Sequence, residues 1–586
     1  MRKNLEVIPI ETDVLIVGGG LAGCMAGIKA SEFGVTVTIV EKANTLASGC
    51  AGTGIDHTWA YIPPVHEKMG WTLQDLMEDH VQGKAGGLIN RDLLYLMASE
   101  NYNRVLDLER FGIKFRFEDS KIPGKFRIVH QFHSVPASFN FEGRPLKIKL
   151  TQEAKRRGVN IVNRVMIRDL ICTDGHVSGA LGIGTRNGNI YSFRAKAVIL
   201  CTGRVNRLSR IVSGVWGNYR APNNETGDGR SMALRAGVGI INMEFLSPSL
   251  FRIGDYEISF GIPRNEVQPA GSVSGPKGET IVPKTTFFDW EKLGQEKVNP
   301  AETRARWMAQ NKIDFLPYRE MYNRGEGPFY LDLTKGAPDE IDYVKWSVSH
   351  EGQGYRFLDY LETQEHFDFS RDKMELLPNS REMAGTAASG LVVNKDLETE
   401  IKGLFAAGDE VGGVPWQAST GAFTMGWHAG QMAASFAKEN KSFLPTDNEK
   451  LEGLKELCGS VMNGKKGLYW QEVELAIQNI VDYYAGDIRT EEVMRRGIER
   501  LREIKENVRF RAENPHELTR SLEVMSVLEN AELVLMGSLE RKESRRFPVG
   551  FRRADFPEQD DQHWLCFLAI KLEEGTFKVR KIPLAG

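Results

Sequence analysis

The chain is poor in several things, and each shortage removes a class of protein. It has six cysteines in 586 residues, at positions 24, 50, 172, 201, 458 and 566, with no C-x-x-C among them. That spacing argues against a zinc site, and against an iron–sulfur cluster held by this chain alone. It suits a reducing cytoplasm, with the cysteines read as small buried apolar residues. No apolar run reaches the roughly 18 residues that a membrane-spanning helix needs. The opening stretch, MRKNLEVIPIETD, lacks the apolar core of a signal peptide. Charge of neither sign dominates, with 75 basic and 78 acidic residues. Nothing in that balance points to nucleic acid or a lipid surface as partner. Internal repeats and long low-complexity stretches are absent as well. The length predicts roughly two to four domains.

What is present begins at residue 12, with TDVLIVGGGLAGCMAGIKASEFGVTVTIVEKA. Val14 to Val17 read as a strand buried on both faces. Gly18, Gly20 and Gly23 follow as G-x-G-x-x-G, the spacing of a turn that cradles a pyrophosphate. The first glycine permits the tight turn, the second lets backbone approach phosphate, and the third lets helix pack on strand. Residues 21 to 33 read as that helix. Its start, at Leu21 and Ala22, offers free N–H groups and a positive dipole end to an anion. VTVTIV reads as a second strand, ending at Glu41 and Lys42. Glu41 stands 18 residues after Gly23, where an acid accepts hydrogen bonds from both ribose hydroxyls of an adenosine. The same acid repels a 2′-phosphate, which argues against NADP.

Further along, residues 158 to 202 read as a β-meander with turns at Asp174-Gly175 and Asn187-Gly188. It ends in AKAVILCTGR, a buried strand running into a glycine turn. GLFAAGDEVGG, residues 403 to 413, repeats that theme. Residues 235 to 385 are mixed and loop-rich. From about 445 onward the pattern is helical. Leu518, Leu522, Met525, Leu528, Ala531, Leu535 and Leu539 recur at helical spacing, the stripe of a packed core helix.

VGGGLAG, ILCTGR, ETGDGRSMALRAGVGIINME (225–244), GLFAAGDEVGG and ESRRFP…RRADFPEQDDQHW (543–564) occur in the order found in one family. On these motifs, which span essentially the whole chain, it resembles the flavoprotein subunits of the fumarate reductase, succinate dehydrogenase and adenylylsulfate reductase superfamily. The resemblance implies an α/β (α+β) fold with a Rossmann-like FAD-binding domain (1–234 and 386–444), an inserted capping domain (235–385) and a C-terminal helical domain (445–586). It implies an FAD-dependent oxidoreductase. Gly18, Gly20, Leu21, Ala22 and Gly23 are expected to cradle the pyrophosphate, with Glu41 and Lys42 at the adenosine ribose. Ser48, Gly49, Gly52, Thr53 and Gly54 are expected along the pyrophosphate and the isoalloxazine edge. Thr202 and Gly203 fall on the adenine side and Asp228 near the flavin. Gly408 and Asp409 fall at the ribityl chain, and Ala418 and Ser419 at the pyrimidine ring.

The departures from the family are informative. Where succinate and fumarate enzymes often attach FAD to a histidine, this chain has Gly49, so noncovalent FAD is expected. The dicarboxylate enzymes' F-H-P-T, C-R-G-E-G and N-R-L-G-G correspond to LSPS, GSVSGPKGET and GGVPW here. Without those arginines, little remains to clamp two carboxylates bidentately. The SG at 48–49 and the overall layout resemble the larger, flavin-carrying chain of adenylylsulfate reductase. Its V-P-A-R-F arginine is Leu250 here, with Arg252 close by, and its I-N-T-Y asparagine is Trp59.

Arg381 and Glu382 fall where the family places a substrate-facing histidine; the arginine could bind an anion and the glutamate move a proton. His57 follows the flavin loop beside Asp56 and is the better acid–base candidate, because its ordinary pKa is near neutrality. His130 and His133 show an i, i+3 spacing but no third ligand, so no metal site is predicted. His428 reads as core packing, and Trp416 as either packing or a flavin neighbour. The expected function is exchange of a hydride or electrons with a small anionic or polar substrate and a ferredoxin-like iron–sulfur subunit. Two alternatives stand beside it: a soluble fumarate-reductase-like enzyme for an unsaturated acid, and a non-catalytic electron-transfer flavoprotein. A plain NAD-dependent dehydrogenase fits the second acidic strand end, at Asp409, poorly. Substrate, reaction direction and homo- or hetero-oligomeric state stay open.

Overall fold

A computed structural model describes residues 6–52, 54–128, 135–210, 223–248, 251–253, 271–282, 316–350, 354–378, 381–382, 388–415, 417–546 and 549–584. Its centre is a seven-stranded sheet. Strand β1 (Val7–Val17) pairs in parallel with β2 (Val37–Glu41) on one side and with β8 (Ile190–Leu200) on the other. The helix Leu21–Ser31 joins β1 to β2. The β-branched, apolar ends of β1 and β2 are fully buried, as a parallel strand covered on both faces requires. A short strand, β18 (Leu404–Ala406), adds in parallel to the last third of β8, with Leu404 opposite Val198. The C-terminal ends of β1, β2, β8 and β18 therefore open at one edge, where parallel sheets bind their ligands.

The stretch 158 to 202 is a meander only in part. β6 (Val165–Thr173), β7 (His176–Gly184) and β8 are antiparallel neighbours, as the two Asx-Gly turns predict. The first strand, β5 (Asn160–Asn163), instead pairs in parallel with the edge of β2. A single residue, Arg164 at φ 66°, turns the chain between β5 and β6. That turn is too tight for a hairpin, so the two strands part.

Against this sheet lie Leu21–Ser31 and a second helix, Ala418–Glu439. Gly426 and Gly430 let the two approach: a Cβ on either would lie 2.5 Å or 2.3 Å from the Ala22 or Ala26 carbonyl oxygen. Two short strands, β3 (His57–Trp59) and β4 (Ser138–Asn140), pair beside the start of that second helix.

A separate sheet carries its own core. β11 (Phe251–Ile253), β15 (Lys373–Pro378), β14 (Phe329–Asp332), β12 (Ser272–Ser274) and β13 (Thr280–Val282) are ordered in that sequence. Val273, Phe329, Leu331, Val344, Leu361 and Met374 cluster there, apart from the main core.

The C-terminal region holds helices at Asn448–Met462, Trp470–Tyr484, Glu491–Asn507 and Pro515–Glu540. Leu518, Leu522, Leu528, Ala531 and Leu535 are buried, while Met525 and Leu539 pack half-buried on the same core. Each buried leucine contributes about 2 kcal/mol. The helical pattern stops at Glu540. Beyond it, β19 (Cys566–Glu573) and β20 (Thr576–Pro583) form a hairpin, which the helical expectation for 445–586 did not include. CFLAIKLE is buried over its first five residues and emerges at Lys571, and FKVRKIP alternates, so β20 is the exposed edge. The hairpin extends a small sheet with β9 (Ile240–Ile241) and β17 (Gly390–Leu391).

Candidate active site: a dinucleotide cleft

The glycine turn divides its labour. Gly18 has φ +101°, and a Cβ there would lie 2.4 Å from the Cys201 carbonyl oxygen. A Cβ on Gly23 would lie 1.9 Å from the Gly18 carbonyl oxygen. These two glycines serve packing. Gly20 differs: a Cβ there meets nothing within 4 Å, because the position faces an open cleft. It is also the N-cap of Leu21–Ser31, so the first N–H groups of that helix point at the same space. Buried Lys147 donates to the Gly19 carbonyl at 2.5 Å and fixes the turn from behind. Glu41 fixes it from the front. Its Oε2 accepts from Gly19 N–H at 2.7 Å and its Oε1 from Ala43 N–H at 2.6 Å. A carboxylate has about four acceptor sites, so two stay available to ribose hydroxyls.

The cleft encloses about 1780 Å³, its open mouth included. At one end are Glu41, Lys42, Thr202, Gly203 and Asp228, against the side of β6. At the centre are Gly18, Gly20, Leu21, Ala22, Gly408 and Asp409. At the other end are Gly49, His57, Ala418 and Ser419, with Trp59 and Lys84 beside them. Three of the loop residues expected here shape the loop instead. Ser48 donates to the Gly19 carbonyl at 3.3 Å. A Cβ on Gly52 would strike the Ala47 carbonyl oxygen at 2.1 Å, and one on Gly54 would press on Arg144 backbone at 3.1 Å. Thr53 lies outside the described residues.

The polar groups fit a flavin dinucleotide. Asp409 Oδ1 and Asp228 Oδ1 are buried and have no hydrogen-bond partner among the described residues. Both side chains line the cleft, where hydroxyls of a ribityl chain and a ribose would satisfy them. Ala418 begins the 22-residue helix Ala418–Glu439, whose positive end favours negative charge on a reduced flavin.

Around these groups runs an ionic network whose pairings the sequence motifs do not reveal. Lys42 Nζ lies 2.7 Å from Asp228 and 2.9 Å from Glu523. Glu523 also meets Arg207 at 2.8 Å, and Arg207 meets Glu474 at 2.5 Å. Although burial opposes it, the cations Lys42, Arg207 and Arg520 hold the Glu523 carboxyl down at about 2. Arg204 Nη2 lies 2.7 Å from Asp409, and its Nε lies 3.8 Å from Glu225. Burial raises Glu225 to about 7. Burial raises Glu410 to about 7 too, although Thr202 donates to it from both its hydroxyl and its backbone N–H. The Cys50 thiol donates to Glu225 at 3.2 Å, and burial pushes that thiol well above its ordinary pKa. It is a neutral donor and not a nucleophile.

Comparison with known proteins fixes the family. Residues 13–255 match the FAD binding domain, and residues 474–585 match the fumarate reductase flavoprotein C-terminal domain. The chain carries the FAD-binding and C-terminal domains of the fumarate reductase and succinate dehydrogenase flavoproteins. It is 27% identical over 414 residues to a fumarate reductase (CoM/CoB) subunit of Methanothermobacter marburgensis, covering 69% of this chain and 68% of that one. It is 26% identical to an uncharacterised FAD-dependent oxidoreductase of Methanocaldococcus jannaschii, over 97% of this chain and 98% of the other. Among solved structures, adenylylsulfate reductase of Archaeoglobus fulgidus superposes with a TM-score of 0.84 at 24% identity, covering 100% and 97% of the two chains. This flavoprotein is thus an FAD-dependent oxidoreductase.

The end of the flavoprotein's cleft beyond Gly49 carries its acid–base candidate. His57 Nδ1 lies 2.5 Å from Asp56 Oδ1, and Asp56 is wholly buried. Helix Ala418–Glu439 pins β3 in place: Ser419 Oγ donates to the His57 carbonyl at 3.0 Å, and Thr420 Oγ1 accepts from Trp59 N–H at 3.0 Å. Trp59 is buried and packs edge-on to His80 at 5.5 Å. The other catalytic candidates are described in backbone only. β16 (Arg381–Glu382) pairs with β10 (Ser247–Pro248), setting Arg381 opposite Pro248 and Glu382 opposite Ser247. Arg252 on β11 stands opposite Leu377 on β15. Three of the four candidates are thereby brought to adjoining strand pairs, and the fourth, His57, is in the cleft. His428 is half-buried on Ala418–Glu439, 4.0 Å from Asp396, away from the cleft lining. His130, His133, Leu250 and Trp416 lie outside the described residues. Among the described residues no group of three or more His, Cys, Asp or Glu could hold a metal, and no helix is long and apolar enough to cross a membrane.

Proposed function

We propose that this flavoprotein moves a hydride equivalent between noncovalently held FAD and a small anionic or polar substrate, and exchanges the electrons with a separate iron–sulfur subunit. The observation that carries the reading is His57 in the cleft wall, held by buried Asp56 behind it, near Ala418 and Ser419 at the start of the helix Ala418–Glu439. FAD, when bound, supplies the two-electron chemistry. The residues supply the rest. The Gly18–Gly23 turn and the helix start bind the pyrophosphate. Asp409 accepts from the ribityl chain, and Glu41 from the adenosine ribose. Asp56 holds His57 by Nδ1, so the proton passes at Nε2. In this reading the unit built on β11–β15, with the β10–β16 pair beside it in the chain, closes over the cleft and brings Arg252, Arg381 and Glu382 to the substrate.

Several features bear on substrate and partner. LSPS, GSVSGPKGET and GGVPW lack the family's dicarboxylate arginines and histidine, which disfavours succinate and fumarate. Leu250 and Trp59 disfavour adenylylsulfate. Relatives are named as subunits, and this chain has no cysteine pairs of its own for a cluster. Its six unpaired thiols suit the cytoplasm. A second reading, reduction of an unsaturated acid, is favoured by the likeness to the Methanothermobacter fumarate reductase (CoM/CoB).

Anaerobic titration of the purified flavoprotein with small acids and anions, followed at the flavin absorption band, tests the proposal. Direct reduction or oxidation by one of them supports an enzyme. A flavin that answers only to a protein partner supports pure electron relay. Reoxidation by unsaturated acids alone supports the second reading.

A further inference from the structure

At the centre of the cleft one acid is poorly matched. Glu225 is 6% exposed, and its side chain lines the cleft wall. Arg204 reaches it at 3.8 Å, but that guanidinium is turned to Asp409 at 2.7 Å. Cys50 donates to both of its oxygens, at 3.2 and 3.3 Å, yet a thiol is a weak donor. Lys42 acts on it from the end of β2, but is committed to Asp228 and Glu523. Asp409 opposes its charge, and Arg230, buried against Ser389, adds a more distant cation. Burial raises Glu410 as much, but Thr202 gives it two donors and its side chain is not part of the cleft wall, so a bound dinucleotide does not face it.

A pyrophosphate at the glycine turn brings about two more negative charges to this wall. The turn is in contact with the strand end that carries Arg204, since a Cβ on Gly18 would touch Cys201. Arg204 and Glu225 line the same cleft as Gly18 and Gly20, so phosphate oxygens bound there would draw on Arg204 and raise the cost of a charged Glu225. We propose that binding of FAD to this chain is coupled to uptake of one proton by Glu225. The proton comes from solvent, no bond to the cofactor is made, and the proposal rests on FAD occupying the cleft. The sign follows from linkage: a group whose pKa rises on binding makes the complex weaker as pH rises. Burial already holds the free carboxyl at about 7, so the loss sets in above neutrality.

Calorimetric titration of FAD into the flavin-free full-length chain tests this, in buffers of different ionisation heat at slightly alkaline pH. The expected result is net uptake approaching one proton per FAD. The dissociation constant should rise up to about tenfold per pH unit above neutrality. Glu225→Gln should bind FAD with no uptake and a flat pH dependence. Uptake by Glu225→Gln equal to that of the wild type overturns the proposal, as does FAD binding to the wild type without uptake. An independent readout needs no Glu225 variant. The infrared difference spectrum of the wild-type chain with and without FAD should gain a carboxylic acid band, and that band should shift in Cys50→Ala. Absence of the band overturns the proposal. A chain that binds no FAD at all overturns the cofactor reading with it.

Discussion

Lys42, at the end of a central strand, and Glu523, on the last long helix, form a buried ion pair of 2.9 Å. It ties the wall of the dinucleotide cleft to the helical region, and Glu523 extends the tie to Arg207 at 2.8 Å. Removing the carboxylate leaves two buried cations short of a partner. Glu523→Ala should lose about 3–5 kcal/mol, seen as a lower denaturation midpoint at neutral pH. Because the folded group titrates near 2 and an ordinary glutamate near 4.5, the carboxylate's contribution is complete above about 4.5 and fades as pH falls towards 2. Wild type and variant should therefore converge in stability between those values. A gap that persists unchanged at pH 2 contradicts this.

Gly20 and Gly23 should fail differently when given a methyl group. Gly23→Ala drives a Cβ to 1.9 Å from the Gly18 carbonyl oxygen, so the turn must open. A stability loss of about 1–3 kcal/mol, with little bound flavin, is expected. Gly20→Ala meets no protein atom within 4 Å. The flavin-free chain should melt within about 0.5 kcal/mol of wild type, while FAD affinity falls because the methyl enters the cofactor's space. Thermal melts with and without FAD separate the two.

The Asp56–His57 pair predicts a catalytic loss without a cofactor loss. His57→Gln should keep its flavin spectrum and lower turnover by about 10²- to 10⁴-fold. The pH–rate profile should lose the limb that His57 supplies. Loss of flavin from the same variant would instead make His57 a structural residue of the loop.

Phe329 lies wholly buried in the second core. Phe329→Ala should cost about 3–5 kcal/mol within that unit alone. Limited proteolysis should then cut between 251 and 378 while the remainder keeps its flavin. Simultaneous loss of both would show that the two cores stand or fall together.

Much of this architecture was legible because it is local. The glycine spacing, the strand ends at Glu41 and Asp409, and the Asx-Gly hairpins are set within a few residues of themselves. The parallel pairing of β5 was not, because Asn160–Asn163 carries no mark of which edge it will join. The terminal hairpin was hidden behind a long helical run, although FKVRKIP alternates. Glu523 reads in sequence as one more charge on a helix, and only packing reveals Lys42 and Arg207 around it. Arg204, Glu225 and Cys50 lie in three distant segments, each in or beside a motif, but no motif says that the three meet, so their contact in the cleft depends on the whole sheet. Conversely, Arg381, Glu382 and Arg252 were picked out by resemblance, and the strand pairings draw them to one region.

One measurement bears on all of this most directly: the absorption spectrum of the purified chain before and after acid precipitation. A flavin spectrum that passes wholly into the supernatant is the predicted result, since Gly49 leaves no side chain at the family's attachment position. Flavin retained in the pellet would contradict noncovalent binding. A colourless chain that stays colourless when given FAD would contradict the account of the cleft itself.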